Sequence, residues 1–71
     1  MGKKIFIEGK MCFTDKDSLG VNDIQGMVGI PNDCDAVKVG HGESGDTRIT
    51  GNGRVALRSG GATYFYYSRR R

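Results

Sequence analysis

The chain has little of what a catalytic, membrane-bound or disulfide-stapled protein needs. It has one histidine, His41, and two cysteines, Cys12 and Cys34, with no CxxC spacing, which gives neither a zinc-ligand pattern nor a disulfide framework. Both thiols are expected to be reduced. No apolar run approaches the ~20 residues of a membrane span, and the start of the chain lacks the basic, apolar and small-residue series of a signal peptide. The expectation is a soluble, cytoplasmic monomer without membrane, metal or cofactor. With one proline and twelve glycines, the chain has many places for tight turns. Acid is absent from its last third: all eight acids lie between Glu8 and Asp46, whereas all six arginines lie from Arg48 onward. That asymmetry predicts a basic surface meeting an acidic partner, either protein or nucleic acid; a solvated basic face is the plainer alternative.

What is present is enough for one small domain covering residues 1–71. At 71 residues a single core supplies only about 3–5 kcal/mol of net stability, and a large buried active site does not fit. The composition, 37% hydrophobic and 27% charged, is that of a globular and not a disordered chain.

One helix is predicted, over Val21–Val28. Val21, Ile24, Met27 and Val28 recur at three- and four-residue spacing and form one apolar stripe. Gly29 suits the left-handed residue after a helix, Ile30 can fold back as the accompanying apolar contact, and Pro31 cannot continue it. Asn22, or Ser18 with an earlier start, is the candidate N-cap.

Strands are predicted on either side. Lys4–Glu8 and Met11–Thr14 read as a hairpin about Gly9-Lys10, with Ile5, Ile7, Met11 and Phe13 facing inward and Phe6 and Cys12 outward. Asp15–Ser18 reads as a polar connection. Asp35–Val39 reads as a third strand with Val37 and Val39 inward, and Gly40–Asp46 as an exposed, mobile loop holding His41. Thr47–Thr50 and Arg54–Arg58 flank Gly51-Asn52-Gly53, the signal of a hairpin or tight bend. Ala62–Ser68 is the strongest strand, with Thr63, Phe65 and Tyr67 inward and Tyr64 and Tyr66 outward.

A hairpin, a crossover helix and further strands make an α+β layout: a β-grasp with a mixed four- to five-stranded sheet and one helix packed across it, its first and last strands side by side in the middle. A small five-stranded barrel is the competing architecture. The expected core sets Ile24, Met27 and Val28 on Ile5, Ile7, Phe13, Val37, Val39, Leu57 and Phe65. The final strand is expected to stop near Tyr67, because no apolar residue follows it, and 68–71 should form a flexible basic tail.

Several stretches resemble one family. Lys4-Ile5-Phe6-Ile7-Glu8 is similar to the opening strand of ubiquitin, and Ile24–Pro31 resembles the helix and stop of bacterial multiubiquitin-type β-grasp domains. Val55-Ala56-Leu57, the following Gly turn and the strand through Phe65 match that family's closing pattern, and Tyr67–Arg71 is similar to the basic tail of ubiquitin. The resemblance implies a ubiquitin-like modifier of a prokaryotic conjugation system, used in defence against phage, with activating-, conjugating- and deubiquitinating-type enzymes as partners. Such modifiers react through a terminal glycine, whereas Arg71 ends this chain with no glycine after Gly61. Under the resemblance, Arg71 borders a processing point, or the domain binds without being conjugated.

Neither the loop nor the thiols make a catalytic centre. Gly40–Gly45 lacks the Lys-Ser/Thr that completes a phosphate loop, and Cys12 has no predictable base beside it. Phe6, Tyr64 and Tyr66 are the aromatics to watch. On neighbouring strands their outward rings would cluster near Lys4, Arg58 or Arg69, a surface suited to protein docking. The same surface could stack single-stranded nucleic acid, and cross-strand aromatic pairs also stabilise a small sheet without binding anything. Arg69 and Arg70 are the expected docking residues of the tail. The alternatives to a modifier are a small basic nucleic-acid-binding protein using the Arg-rich last third, and a small inhibitor protein.

Overall fold

The computed structural model describes residues 2–40, 45–58 and 60–70. In chain order the elements are β1 (Lys3–Ile7), β2 (Lys10–Thr14), β3 (Ser18–Gly20), α1 (Val21–Met27), β4 (Cys34–Lys38), β5 (Thr47–Arg48), β6 (Arg54–Ala56) and β7 (Thr63–Arg69). The result is an α+β domain with a mixed five-stranded sheet in the order β2-β1-β7-β4-β5 and a separate two-stranded ladder, β3-β6. β1 and β7 pair in parallel near the middle, as predicted, and the other pairings are antiparallel. The sheet is open, with β2 and β5 at its edges, so the barrel alternative does not hold.

The helix ends as the sequence predicts. Gly29 takes φ +77 and donates its N–H to the Gln25 carbonyl at 3.1 Å, the left-handed ending that glycine permits at least cost. The Gln25 amide then clasps Ile30, accepting its N–H at 2.9 Å and donating to its carbonyl at 3.2 Å, and Ile30 is buried. The start differs from expectation. Gly20, not Asn22 or Ser18, is the N-cap. It has no side chain to offer, and the Asp23 carboxylate reaches back to accept its N–H at 2.9 Å, the acidic half of a capping box. Lys16 and Arg54 hold that carboxylate at 2.8 and 3.1 Å.

The core comprises Ile5, Ile7, Leu19, Ile24, Ile30, Ala36, Ile49, Val55, Leu57 and Phe65, with Val21, Met27, Val28, Cys12, Cys34 and Tyr67 packed at its margin. Tyr67 ties this layer to the helix end by donating its hydroxyl to the Gly29 carbonyl at 2.7 Å. Leu19 is fully buried: the segment read as a polar connection runs on into a short strand, β3, which pairs with β6 and so covers one side of the core. Gly51-Asn52-Gly53 forms a tight bend and not a hairpin, closed by the Gly53 N–H on the Thr50 carbonyl at 2.8 Å; the strands on either side of it pair elsewhere.

Two face assignments are corrected. Glu8 and Gly9 both have positive φ, 48 and 85, the conformation of a two-residue hairpin turn. Ile7 is therefore opposite Lys10, and Ile5 opposite Cys12. Opposed residues share a face, so Cys12 joins the core side, while Met11 and Phe13 lie outside with Phe6 and Lys4. In β4, Ala36 is opposite the core-facing Tyr67 and Val37 is opposite Tyr66. Ala36 thus faces the core cluster, and Val37, buried as expected, lies on the other face of the sheet, beside Tyr66 and Arg48. Val39, just past the strand, is half-buried and donates its N–H to the Tyr64 carbonyl at 2.8 Å, outside the core. Either parity of Ala36-Val37 satisfies an alternation rule, and β7 decides between them.

The flexible tail is corrected as well. β7 continues through Ser68 and Arg69, paired with Asp35 and Cys34, and the Arg70 N–H donates to the Asp33 carbonyl at 2.7 Å. The ladder to β4 carries the strand past its last apolar residue, and acids of β4 and the turn before it offset the arginines' mutual repulsion. His41, Gly42, Glu43 and Ser44 of the predicted loop lie outside the described residues, as does Arg71.

Candidate docking face

The sheet has one face on the core and one facing away from it. The pairing registers set the outer side chains in rows across the strands: Phe13 beside Lys4, then Met11, Phe6 and Tyr64, then Tyr66, Val37 and Arg48. Phe6 and Tyr64 are stacked, ring centroids 5.1 Å apart and planes 11° apart, which preorganises their surface. Phe13 is 59% exposed, Met11 52%, Tyr64 46% and Tyr66 36%, although rings and thioethers of this size are ordinarily mostly buried. A contiguous exposed apolar patch of this kind marks an interaction surface more often than scattered singles do.

Polar groups frame the patch. Tyr66 donates its hydroxyl to Asp46 at 2.8 Å, and the other Asp46 oxygen accepts the Gly40 N–H at 2.8 Å. These two bonds hold the Asp46 carboxyl below its usual range, and the carboxylate pushes the Tyr66 phenol up. Next to it, Asp35 is shared by two guanidiniums: Arg48 Nη1 at 3.0 Å and Arg70 Nε at 3.1 Å. Arg48 also donates to the Ser68 hydroxyl at 2.7 Å, and Arg70 to the Cys34 carbonyl at 3.3 Å. Chiefly through Arg48, Asp35 is held below the ordinary carboxylate range.

Of the residues expected from sequence, Phe6, Tyr64 and Tyr66 are together on one face. Arg58 is exposed at one end of it, where with Lys3, Lys4, Phe13 and the Gly60-Gly61 turn it lines a depression of about 360 Å³. Arg69 and Arg70 are at the far end of β7, paired with Asp33 at 3.5 Å and with Asp35. Arg70 thus reaches the polar frame of the patch through Asp35, whereas Arg69 is held at Asp33. Met11 and Phe13 are the residues that the sequence reading put on the wrong side; reading Glu8-Gly9 as the two turn residues would have placed them.

The charge segregation seen along the chain is largely cancelled in space. Arg48, Arg54, Arg69 and Arg70 each meet an acid from earlier in the chain. Among the described residues, Arg58 is the one arginine with no acid partner. The Cys34 thiol is pushed up by burial and by Asp33, which keeps it protonated at neutral pH and blunts it as a nucleophile. Among the described residues no three His, Cys, Asp or Glu side chains converge as metal ligands, and no helix is long and apolar enough to cross a membrane. In comparisons with known proteins, no family model, no curated protein and no solved structure matches the chain.

Proposed function

We propose that the chain is a ubiquitin-like β-grasp protein that docks protein partners through the outer face of its sheet, as a modifier in a prokaryotic conjugation system. One observation carries the reading: among the described residues no helix packs on the second face of the sheet that holds the hairpin and the parallel first and last strands, and that face bears Met11, Phe13, Phe6, Tyr64 and Tyr66. Aromatic and Met side chains on a rigid sheet bring contact area at small conformational cost, which is what binding hot spots use. The conjugation part rests on the resemblance of the N-terminal strand, the helix stop and the closing strand to that family. Docking through Arg69 and Arg70 in this reading means exchanging Asp33 and Asp35 for carboxylates of the partner.

The paired arginines weigh against nucleic acid, because a strand-binding groove needs free cations along it. Calorimetric titration against any adenylating enzyme encoded beside this gene tests the proposal. Replacing Phe6 and Tyr64 together by alanine should weaken binding by at least about tenfold, equivalent to ~1.4 kcal/mol. Wild-type affinity of that variant would refute the docking face, and a gene neighbourhood with no adenylating enzyme would refute the conjugation part. Micromolar binding of single-stranded DNA at physiological salt, falling steeply as salt rises, would overturn the reading in favour of nucleic acid.

A further inference from the structure

We propose that two copies of the chain associate edge to edge through β2, making one continuous sheet. β2, Lys10-Met11-Cys12-Phe13-Thr14, is an edge strand of the five-stranded sheet. In a two-residue hairpin the pair flanking the turn is hydrogen-bonded and the pairs then alternate. Ile7–Lys10 and Ile5–Cys12 therefore use their backbone groups on each other, and the N–H and C=O of Met11 and Phe13 face away from β1. Among the described residues no backbone bond from another element reaches them. A five-residue edge with one charge and no proline is the kind that natural sheets otherwise cover or break.

The side chains on both sides of that edge call for a cover too. On the outer face, Met11 and Phe13 are the two most exposed of the large apolar residues. On the other side, a groove of about 590 Å³ runs between β2 and the C-terminal half of α1, lined by Lys10, Met11, Cys12 and residues 25–29. Gly26 opens this groove. A Cβ built there meets nothing within 4 Å, and the domain's own packing gives no reason for so poor a helix former at that point.

A second copy of β2 fits this edge in one register. Only residues with outward backbone groups can bond, so Met11 and Phe13 must pair with Met11 or Phe13 of the other copy. A two-fold axis through Cys12 sets Met11 against Phe13, Cys12 against Cys12 and Lys10 against Thr14, so that all of β2 pairs; a shift by two residues leaves part of it unpaired. No like charges are opposed. Each exposed apolar side chain gains an apolar neighbour, and the two helices, on the same side of the joined sheet, face each other across Gly26, Met27 and Val28. A peptide could take the same edge, but the self-complementary register favours a second copy. One strand pair and two small flanking patches fall at the low end of specific interfaces, about 1,200 Å² or less, so the dimer should be a weak one that forms at ~10–500 µM.

Sedimentation velocity of the full chain from ~5 to ~500 µM tests this, with oxidation by copper-phenanthroline at the upper concentration. The weight-average mass should rise toward twice the monomer. A disulfide-linked dimer should form that Cys12→Ser abolishes and Cys34→Ser does not. Gly26→Lys, placed where the monomer has open space, should keep the thermal midpoint and remain monomeric. Met11→Pro, which removes an N–H that β1 does not use, should do the same. A wild-type chain that stays monomeric at ~500 µM would overturn the proposal, as would a dimer that forms unchanged in Gly26→Lys and Met11→Pro or that crosslinks through Cys34.

Discussion

Leu19→Ala and Phe13→Ala exchange the roles that residue size would assign them. Leu19 has no exposed surface and belongs to the core, whereas Phe13 is 59% exposed on the outer face. Leu→Ala removes three carbons; at about 0.8 kcal/mol for each buried group that is ~2.4 kcal/mol of lost transfer energy. The cavity left where β3 meets α1 and β6 brings the expected cost to about 2.7–5 kcal/mol. A domain of this size holds only ~3–5 kcal/mol in total, so the variant should be partly or wholly unfolded at 25 °C. Phe13→Ala, the larger truncation, should cost less than ~1 kcal/mol because most of the ring is already in water. At about 4–8 °C per kcal/mol for a domain this small, the thermal midpoints of the two variants should differ by at least ~7 °C. Circular dichroism melts at 222 nm measure this. Equal midpoints, or a lower one for Phe13→Ala, would refute the hairpin register and with it the composition of the outer face.

Gly29→Ala, with φ +77 and no close neighbours for a Cβ, should lose about 1–2 kcal/mol from backbone strain alone, read as a lower denaturation midpoint with an unchanged m-value. Tyr67→Phe removes the hydroxyl donated to the Gly29 carbonyl and should cost about 1 kcal/mol in the same assay. Asp23 is held at about 2, against an ordinary 3.8, first by Lys16 and then by the Gly20 N–H, and Asp17, Asp35 and Asp46 are lowered too. Depressed carboxylates stabilise the fold above their ordinary value, so the midpoint should be flat above about pH 4 and fall as the pH drops toward 2; Asp23→Asn should flatten part of that fall. Tyr66 and Tyr67 are raised, and their contribution should be lost above about pH 10, as unfolded tyrosines ionise first. Arg70→Ala leaves the buried Asp35 with Arg48 alone and should lower the midpoint, whereas Arg69→Ala, whose partner Asp33 is itself exposed, should leave it unchanged.

The sequence carries the fold wherever a signal is local and the residue type leaves one choice. Gly29-Ile30-Pro31 ends a helix in one way, and Thr63, Phe65 and Tyr67 alternate with rings too large to misplace. It carries less where parity depends on a partner. Ala36-Val37 is apolar at both positions, and only its pairing with Tyr66 and Tyr67 in β7 shows that the smaller side chain faces in. Met11 and Phe13 turn on one residue of loop length: centred on Gly9-Lys10 the hairpin puts them in the core, and on Glu8-Gly9 it puts them outside. Leu19 leaves almost no trace, because a three-residue strand shows no period; its burial follows from β6, which lies more than thirty positions further along the chain.

The candidate docking face is an instance of the same dependence. Phe6, Tyr64 and Tyr66 are visible in the sequence as outward rings on two apolar strands, and the parallel pairing of those strands sets Phe6 beside Tyr64. The arginines behave in the opposite way, because charge counted along the chain ignores which acids the strand order returns to them. β7 runs antiparallel to β4, so the end of β7, where Ser68, Arg69 and Arg70 cluster, comes to the start of β4, where Asp33 and Asp35 stand. Arg69 and Arg70 of the basic tail thereby each meet an acid in the fold, with Arg48 sharing Asp35. What remains distinctive among the described residues is apolar: a face on which Phe6 and Tyr64 stack, bordered by the edge strand β2. The proposed docking and self-association rest on that face and edge and not on the net charge of +3.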